Sequence, residues 1–381
     1  MKIVIAPDSF KESLSAFDVA CAIEQGFREI YPQAQYIKLP MADGGEGTVE
    51  AMVAATGGKR VELPVTGPLG ETVNAFYGWL SESRTAVIEM AAASGLHLVP
   101  PELRDPFLTS SVGTGELILA ALEQGAQQII LGIGGSATND GGAGMMQALG
   151  ARLLDRHGEP LPPGGAALAD LTTIDLSNLD QRLAEITLRV ACDVDNPLCG
   201  PKGASAVFGP QKGASPEQVV VLDNALLRWG RQIEQISGYS VLELPGAGAA
   251  GGLGAALAGL LNAQLEPGIA IVTDALQLAT VVQGADLVIT GEGRIDSQTV
   301  RGKTPIGVAK IAKQFAVPTI ALAGGVARDH ALVHQHGLDA VFAIVNRIVT
   351  LPEALADAEE NLRVTARNIA ALWRIAQHAR D

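Results

Sequence analysis

Short apolar runs, each released into a polar, glycine-rich turn, recur along the whole chain. Runs of this length, apolar at successive positions, predict strands buried on both faces of a parallel sheet. They lie at Lys2 to Ala6, Tyr36 to Leu39, Ile129 to Ile133, Thr187 to Ala191, Asp286 to Thr290, Val317 to Ala323 and Ala340 to Val345. Helical spacing fills the gaps. Ser13 or Ser15 caps a helix carrying Val19, Ala22, Ile23, Phe27 and Ile30; Thr48 to Ala55 and Glu116 to Gln124 are further helices. A last helix, Glu353 to Ala379, presents Leu355, Leu362, Ile369, Leu372 and Ile375 as a core face. From Thr66 the texture changes, with strands expected at Val73 to Trp79 and Thr85 to Met90, and the first texture returns near Ile271.

The polar turns carry the chemistry. Ile129 onwards opens as a strand, breaks into Gly134-Gly135-Ser136-Ala137-Thr138-Asn139-Asp140-Gly141-Gly142 and resumes as a helix. Glycines let a ligand reach the backbone, and the helix start aims N–H groups at it, which suits a phosphate. Ser136, Thr138, Asn139 and Asp140 add groups for a hydroxylated substrate or hydrated Mg2+. The plain alternative is a tight turn in which Asp140 caps the helix. Asp8, Ser9 and Lys11 leave the first strand, at the end where open parallel sheets bind ligands. Asp43, Gly44, Gly45 and Glu46 follow the second, as metal or hydroxyl partners or as helix-capping acids. Thr109 to Gly115 is another hydroxyl- and glycine-rich turn. Asp193 and Asp195 sit in a turn where two carboxylates can converge on one cation, and Lys212 is presented by Phe208 to Gly213. Gly291, Glu292, Arg294, Asp296 and Lys303 cluster after the Asp286 to Thr290 strand, with Thr304 and Pro305 as N-cap and first helical position. Arg294 and Asp296 read as functional, or as a surface ion pair worth about 0 to 1 kcal/mol.

Composition narrows this further. The 381 residues allow two domains. With 27 basic and 41 acidic residues the net charge is −14, which argues against a nucleic-acid binder, since that affinity rests on clustered Lys and Arg. An anionic substrate is then held by a few placed cations and amides. Three cysteines, Cys21, Cys192 and Cys199, lack metal-ligand spacing and fit a reducing cytoplasm. The histidines His97, His157, His330, His334, His336 and His378 form no metal set. The N-terminal apolar run, about five residues, is shorter than a signal core of roughly 7 to 15, and no run reaches the roughly 20 of a membrane helix.

Two familiar patterns fail on context. Gly246, Gly248 and Gly251 spell G-x-G-x-x-G, but Glu266, at the right distance for the acidic partner, sits before Pro267-Gly268 and not at a strand end. A dinucleotide oxidoreductase is thus the alternative of another class, with a non-catalytic sensor beside it. Gly302-Lys303-Thr304 ends like a Walker loop, yet Ser297 stands where that loop needs glycine. Ala249 after Gly248 argues against a ribokinase-like GAGD. What remains is a polyanion site with a cation, which fits phosphoryl transfer.

The segments APDSFKESLSA, MADGGEGTVEAM, GTGELILAAL, GIGGSATNDGGAGM, ACDVDNPL, FGPQKGA, PGAGAAGGLGAA and TGEGRIDSQT, in this order, closely resemble the bacterial type-1 glycerate kinases. The resemblance implies an ATP- and Mg2+-dependent enzyme phosphorylating D-glycerate, at the 2-hydroxyl or else the 3-hydroxyl, in the catabolism of small sugar acids. It implies an α/β fold of two domains: a discontinuous doubly wound, Rossmann-like parallel-sheet domain (1–65 with 271–381) and an inserted α/β domain (66–270), with the site in the cleft. The resemblance does not itself assign roles; read from the residues, Lys11, Lys212, Lys303 and Arg294 neutralise carboxylate and phosphate. Asp43, Asp193 or Asp296 is the base, Asp296 first, and Asp193 with Asp195 is a metal pair. Monomer or homodimer, cytoplasmic, without nucleic-acid or membrane partners, completes the expectation.

Overall fold

A computed structural model describes residues 1–378. They fall into two units: Met1–Asp43, Glu50–Gly57 and Ile269 onward form one, and Gly44–Val49 with Gly58–Gly268 the other.

The first unit is built on five parallel strands in the order Ala340–Ala343, Thr319–Val326, Leu287–Ile295, Lys2–Ile5, Gln35–Lys38. From Lys2–Ile5 the chain goes first to one edge, and then, on its return, to the other side through Leu287–Ile295. The order therefore reverses between those two strands, which makes the crevice beyond their carboxyl ends the expected ligand position. The continuous apolar runs are explained by burial on both faces. Ile3, Ile5, Leu287, Ile289, Ile320 and Leu322 pack with Val19, Ile23 and Phe27 of helix Ala16–Arg28 and Leu362, Ala366 and Ile369 of helix Ala358–His378. The alternate residues Ala321 and Ala323, with Ile295, meet Ile306 and Ala309 of helix Thr304–Gln314 on the other face. Each such large side chain contributes about 1.5 to 3 kcal/mol. Helices Ala16–Arg28 and Ala358–His378 cross at Gly26, where a methyl group would run into the Arg363 carbonyl and the Arg367 amide.

The single helix expected at the C-terminus is two, Leu351–Ala356 and Ala358–His378: a capping box of Thr350 and Glu353 starts the first, and the chain leaves helical geometry at Asp357 (φ −92°, ψ 9°) before the second begins. Its apolar stripe is also shorter than read: Leu372 and Ile375 are exposed, and Trp373 is the residue of these turns that packs on the core. Ala379 and the side chain of His378 lie outside the described residues. Ser15 caps the first helix by accepting from the Asp18 amide. Lys303, not Thr304, is the N-cap of Thr304–Gln314, because the Thr304 hydroxyl is engaged elsewhere.

The second unit carries a six-stranded sheet in the order Gln264–Glu266, Thr187–Ala191, Gln128–Gly132, Thr85–Glu89, Thr72–Leu80, Lys59–Thr66. The first four are parallel and the last two run antiparallel as a meander. Lys59–Thr66 (KRVELPVT) and Gln264–Glu266 are strands that no apolar run announces: one alternates charge with apolar residues around Pro64, the other is three residues long. Because Lys59–Thr66 pairs with Thr72–Leu80, the chain is inside this unit before Thr66. The glycines from Gly246 to Gly254 serve packing. A side chain at Gly251 would collide with the Thr138 carbonyl and one at Gly248 with that of Pro197, and no strand leads into this segment. Against the sequence reading, Glu266 does close a strand, Gln264–Glu266, but its carboxylate is held by Arg189 through two hydrogen bonds of 2.8 and 2.7 Å. Among the described residues no helix is long and apolar enough to cross a membrane.

Candidate active site

In the first unit the polar turns meet at the strand-order reversal. A cavity of about 590 Å3 lies there, bounded by Asp8 to Ser13, Asp43, Glu292 to Arg294 and Lys303, and beyond these by Gly324, Gly325 and a set of apolar residues. Its size is that of an organic cofactor or nucleotide site. Seven of the residues singled out by sequence (Asp8, Ser9, Lys11, Asp43, Glu292, Arg294 and Lys303) stand in one wall.

Local bonding sets their state. The Asp8 carboxylate accepts from the Thr304 hydroxyl at 2.6 Å and the Ser9 amide at 2.7 Å. Enclosure of the carboxyl group, with Asp43 repelling it, pushes its pKa up to about 6 against those hydrogen bonds. Glu292, 7% exposed, accepts from the Thr299 hydroxyl at 2.5 Å and lies 3.5 Å from the Lys303 ammonium. Burial outweighs both partners and raises it to about 7. Lys11 is exposed, and the Arg294 side chain is 72% exposed, 3.4 Å from Asp296. Acids poised near neutrality beside exposed cations are what general acid–base chemistry on an anion requires.

Asp296 stands outside this wall: its carboxylate accepts from the Gln298 amide at 2.9 Å and pairs with Arg294. Gly291 serves the sheet. Its carbonyl accepts from the Asp8 amide, and its missing side chain leaves room for the Leu322 carbonyl of the next strand.

The second unit presents its own loops at the carboxyl ends of its parallel strands. Gly44, at φ +89°, lies against Ala191 and Gly268, where a side chain would not fit; Gly45 is half-buried and Glu46 exposed. Gly134 and Gly135 are exposed, with open space beside Gly134. Asp193 accepts from the Gly268 amide at 3.0 Å, and Asp193 and Asp195 are both exposed. The remainder of the motif is sealed. Asp140, fully buried, accepts from the Ser111 amide and hydroxyl (both 2.8 Å), Gly142 N (3.1 Å) and Gly144 N (3.2 Å), so it caps the turn. Lys212, 2% exposed, donates to Ser136 Oγ at 2.8 Å and the Thr138 carbonyl at 2.6 Å, and burial lowers its pKa to about 7. Asn139 donates to Ser205 Oγ at 2.9 Å; Thr138 Oγ1 and Asn139 Oδ1 are buried without a partner among the described residues.

Against known proteins, the glycerate kinase family pattern matches residues 3–374. The chain belongs to the glycerate kinase family. It is 59% identical to a glycerate kinase of Bacillus subtilis (strain 168) over 99% of both chains, and 60% identical to a glycerate 2-kinase of Escherichia coli (strain K12) over 97% of both. A crystal structure from Salmonella typhimurium LT2, of a protein provisionally named glycerate kinase 2, matches with a TM-score of 0.91 and 60% identity, covering 99% of each chain. As a glycerate kinase the chain is a phosphotransferase with an alcohol acceptor, and the oxidoreductase alternative falls away. Sequence reading of this kinase site took Thr304 for a helix cap and passed over Thr299, the two residues that hold the raised carboxylates, along with the walls from Gly324 to Leu355. Gly324-Gly325 had the signal used elsewhere, glycines closing an apolar run.

Proposed function

We propose that the enzyme transfers the γ-phosphoryl group of ATP to the 2-hydroxyl of D-glycerate, giving 2-phosphoglycerate and ADP. The observation that carries this reading is the juxtaposition, in one cavity, of Lys11, Arg294 and Lys303 with carboxylates raised toward neutrality. Transfer of a phosphoryl group needs mainly positioning and charge neutralisation, plus a group to take the hydroxyl proton. Glu292 takes that proton as the hydroxyl oxygen bonds to phosphorus, and the bond from phosphorus to the bridging oxygen breaks to release ADP. Lys303 steadies the Glu292 carboxylate, while Lys11 and Arg294 meet the phosphoryl oxygens. Asp296 orients Arg294 and does not act as the base.

Magnesium belongs to the same reading. Among the described residues no three His, Cys, Asp or Glu side chains come together as a metal cage, which suits a cation that keeps its waters and is held by one or two carboxylates and the phosphates. Asp8 and Asp43, which repel one another, fit that donor set; the exposed Asp193 and Asp195 are the second pair. Bound there, the ion would offset phosphate charge. In the second unit, Gly44 to Glu46 and the exposed Gly134 and Gly135 offer backbone groups to a substrate anion. Three free cysteines are consistent with work in a reducing cytoplasm, as a monomer or homodimer.

The test is a coupled ADP-release assay with ATP, Mg2+ and D-glycerate, with 31P NMR of the product against 2- and 3-phosphoglycerate. ADP release that requires glycerate, with the phosphorus signal of the 2-isomer, is expected. Release without glycerate dependence refutes the reading, and the 3-isomer refutes its regiochemistry.

A further inference from the structure

The cavity of the first unit has two unlike halves. Around the strand-order reversal its wall is charged: Asp8, Lys11, Asp43, Glu292, Arg294 and Lys303. Towards the edge strand it is lined by Ile344, Val345, Leu351, Ala354, Leu355 and Ala358, none of them ionisable, beside the Lys11 to Ser13 turn that carries Glu12. Gly324 and Gly325 floor the passage between the halves. The cap over the apolar half is helix Leu351–Ala356, tied down where the Ser13 hydroxyl donates to the Leu355 carbonyl at 2.8 Å.

Three strand spacings separate Ala340–Ala343 from Lys2–Ile5, about 14 Å at the usual interval. That is on the order of the length of an extended nucleoside triphosphate and several times the length of a three-carbon acid. A fully hydroxylated acid also has no surface to offer to aliphatic side chains, whereas a purine has two broad faces. We propose that the apolar half receives the purine of the nucleotide, with the triphosphate running along the strand ends over Gly324 and Gly325 to the charged half. This rests on the kinase reading given above and assigns the cavity to the phosphoryl donor. Because the purine is held by aliphatic contact, its edge is read poorly, and GTP is used at a kcat/KM within about a hundredfold of ATP.

Gly325 has no positive φ, and a side chain there meets no protein atom within 4 Å, so Gly325→Val narrows the passage without straining the strand. Leu355→Asp sets a charge under the cap. Both are expected to raise KM for ATP about tenfold, while KM for D-glycerate stays within about twofold. A rise in KM for glycerate alone, or no change in either, overturns the assignment. Since Leu355→Asp can also unseat the cap, the wild-type chain is photolysed with 8-azido-ATP and its peptides are mapped. Label between Ile344 and Ala358 is expected, and label elsewhere overturns the proposal. Absence of glycerate-dependent ADP release from the wild-type chain would instead remove the kinase reading, and the mapped label would still decide where the purine lies.

Discussion

Two clusters of charge, one in each unit, looked alike as sequence and are opposite in construction. Around Asp8 and Glu292 the carboxylates line a cavity, are raised toward neutrality, and face exposed cations. Around Asp140 and Lys212 the carboxylate accepts from four donors and the Lys212 amine donates to two acceptors, with both side chains buried. A charge whose bonds are all made within the fold holds a loop in place, while one left with spare capacity beside solvent is free to act on a ligand.

The largest effect should fall on the open cluster. Glu292→Gln is expected to lower kcat by about 10²- to 10⁴-fold with little loss of folded protein. The wild-type rate should climb as pH rises through about 7 and then level off, a climb missing from the variant. If the variant keeps both rate and pH profile, Glu292 is not the base. Stability shifts the opposite way. A raised carboxyl pKa contributes stability below about 4.5 that is lost as pH rises through about 7, so Glu292→Gln gains on wild type between pH 5 and pH 8 in urea melts.

In the sealed cluster the damage should be to folding. Asp140→Ala strips four donors of their partner, and a loss of about 3 kcal/mol or more is expected in denaturant titrations. Near-native stability would show that the carboxylate is dispensable to the turn. Lys212→Met gives a subtler reading. A lysine whose folded pKa is depressed adds stability as pH rises from about 7 toward 10.5. The gap between wild type and variant should thus be roughly 2 kcal/mol wider at pH 9 than at pH 7. A gap independent of pH would mean that the buried amine does not titrate there. The smallest change belongs to Asp296→Asn, a partner of the exposed Arg294, with kcat lowered less than about tenfold; a loss of a thousandfold would restore Asp296 as the base.

Much of this was readable in the chain itself. The apolar runs at Lys2, Ile129, Thr187 and Val317 named strands buried on both faces, since only such strands need no polar side, and the turns after them named the ligand-bearing ends. The short or charged strands Lys59–Thr66 and Gln264–Glu266 were invisible because neighbouring strands, not their own side chains, stabilise them.

The sequence alone determined the family, the α/β class and the residue types of a phosphoryl-transfer site, because backbone periodicity and turn chemistry are local properties. Tertiary structure alone decided which residues share a cavity. Asp8 and Glu292, far apart in the chain, become neighbours by parallel pairing of Lys2–Ile5 with Leu287–Ile295. Asp140 and Lys212 are buried and bonded within the fold by residues from distant parts of the chain. Burial sets whether a charge is spent on the fold or kept for chemistry, and burial is a sum over distant residues that no local window contains.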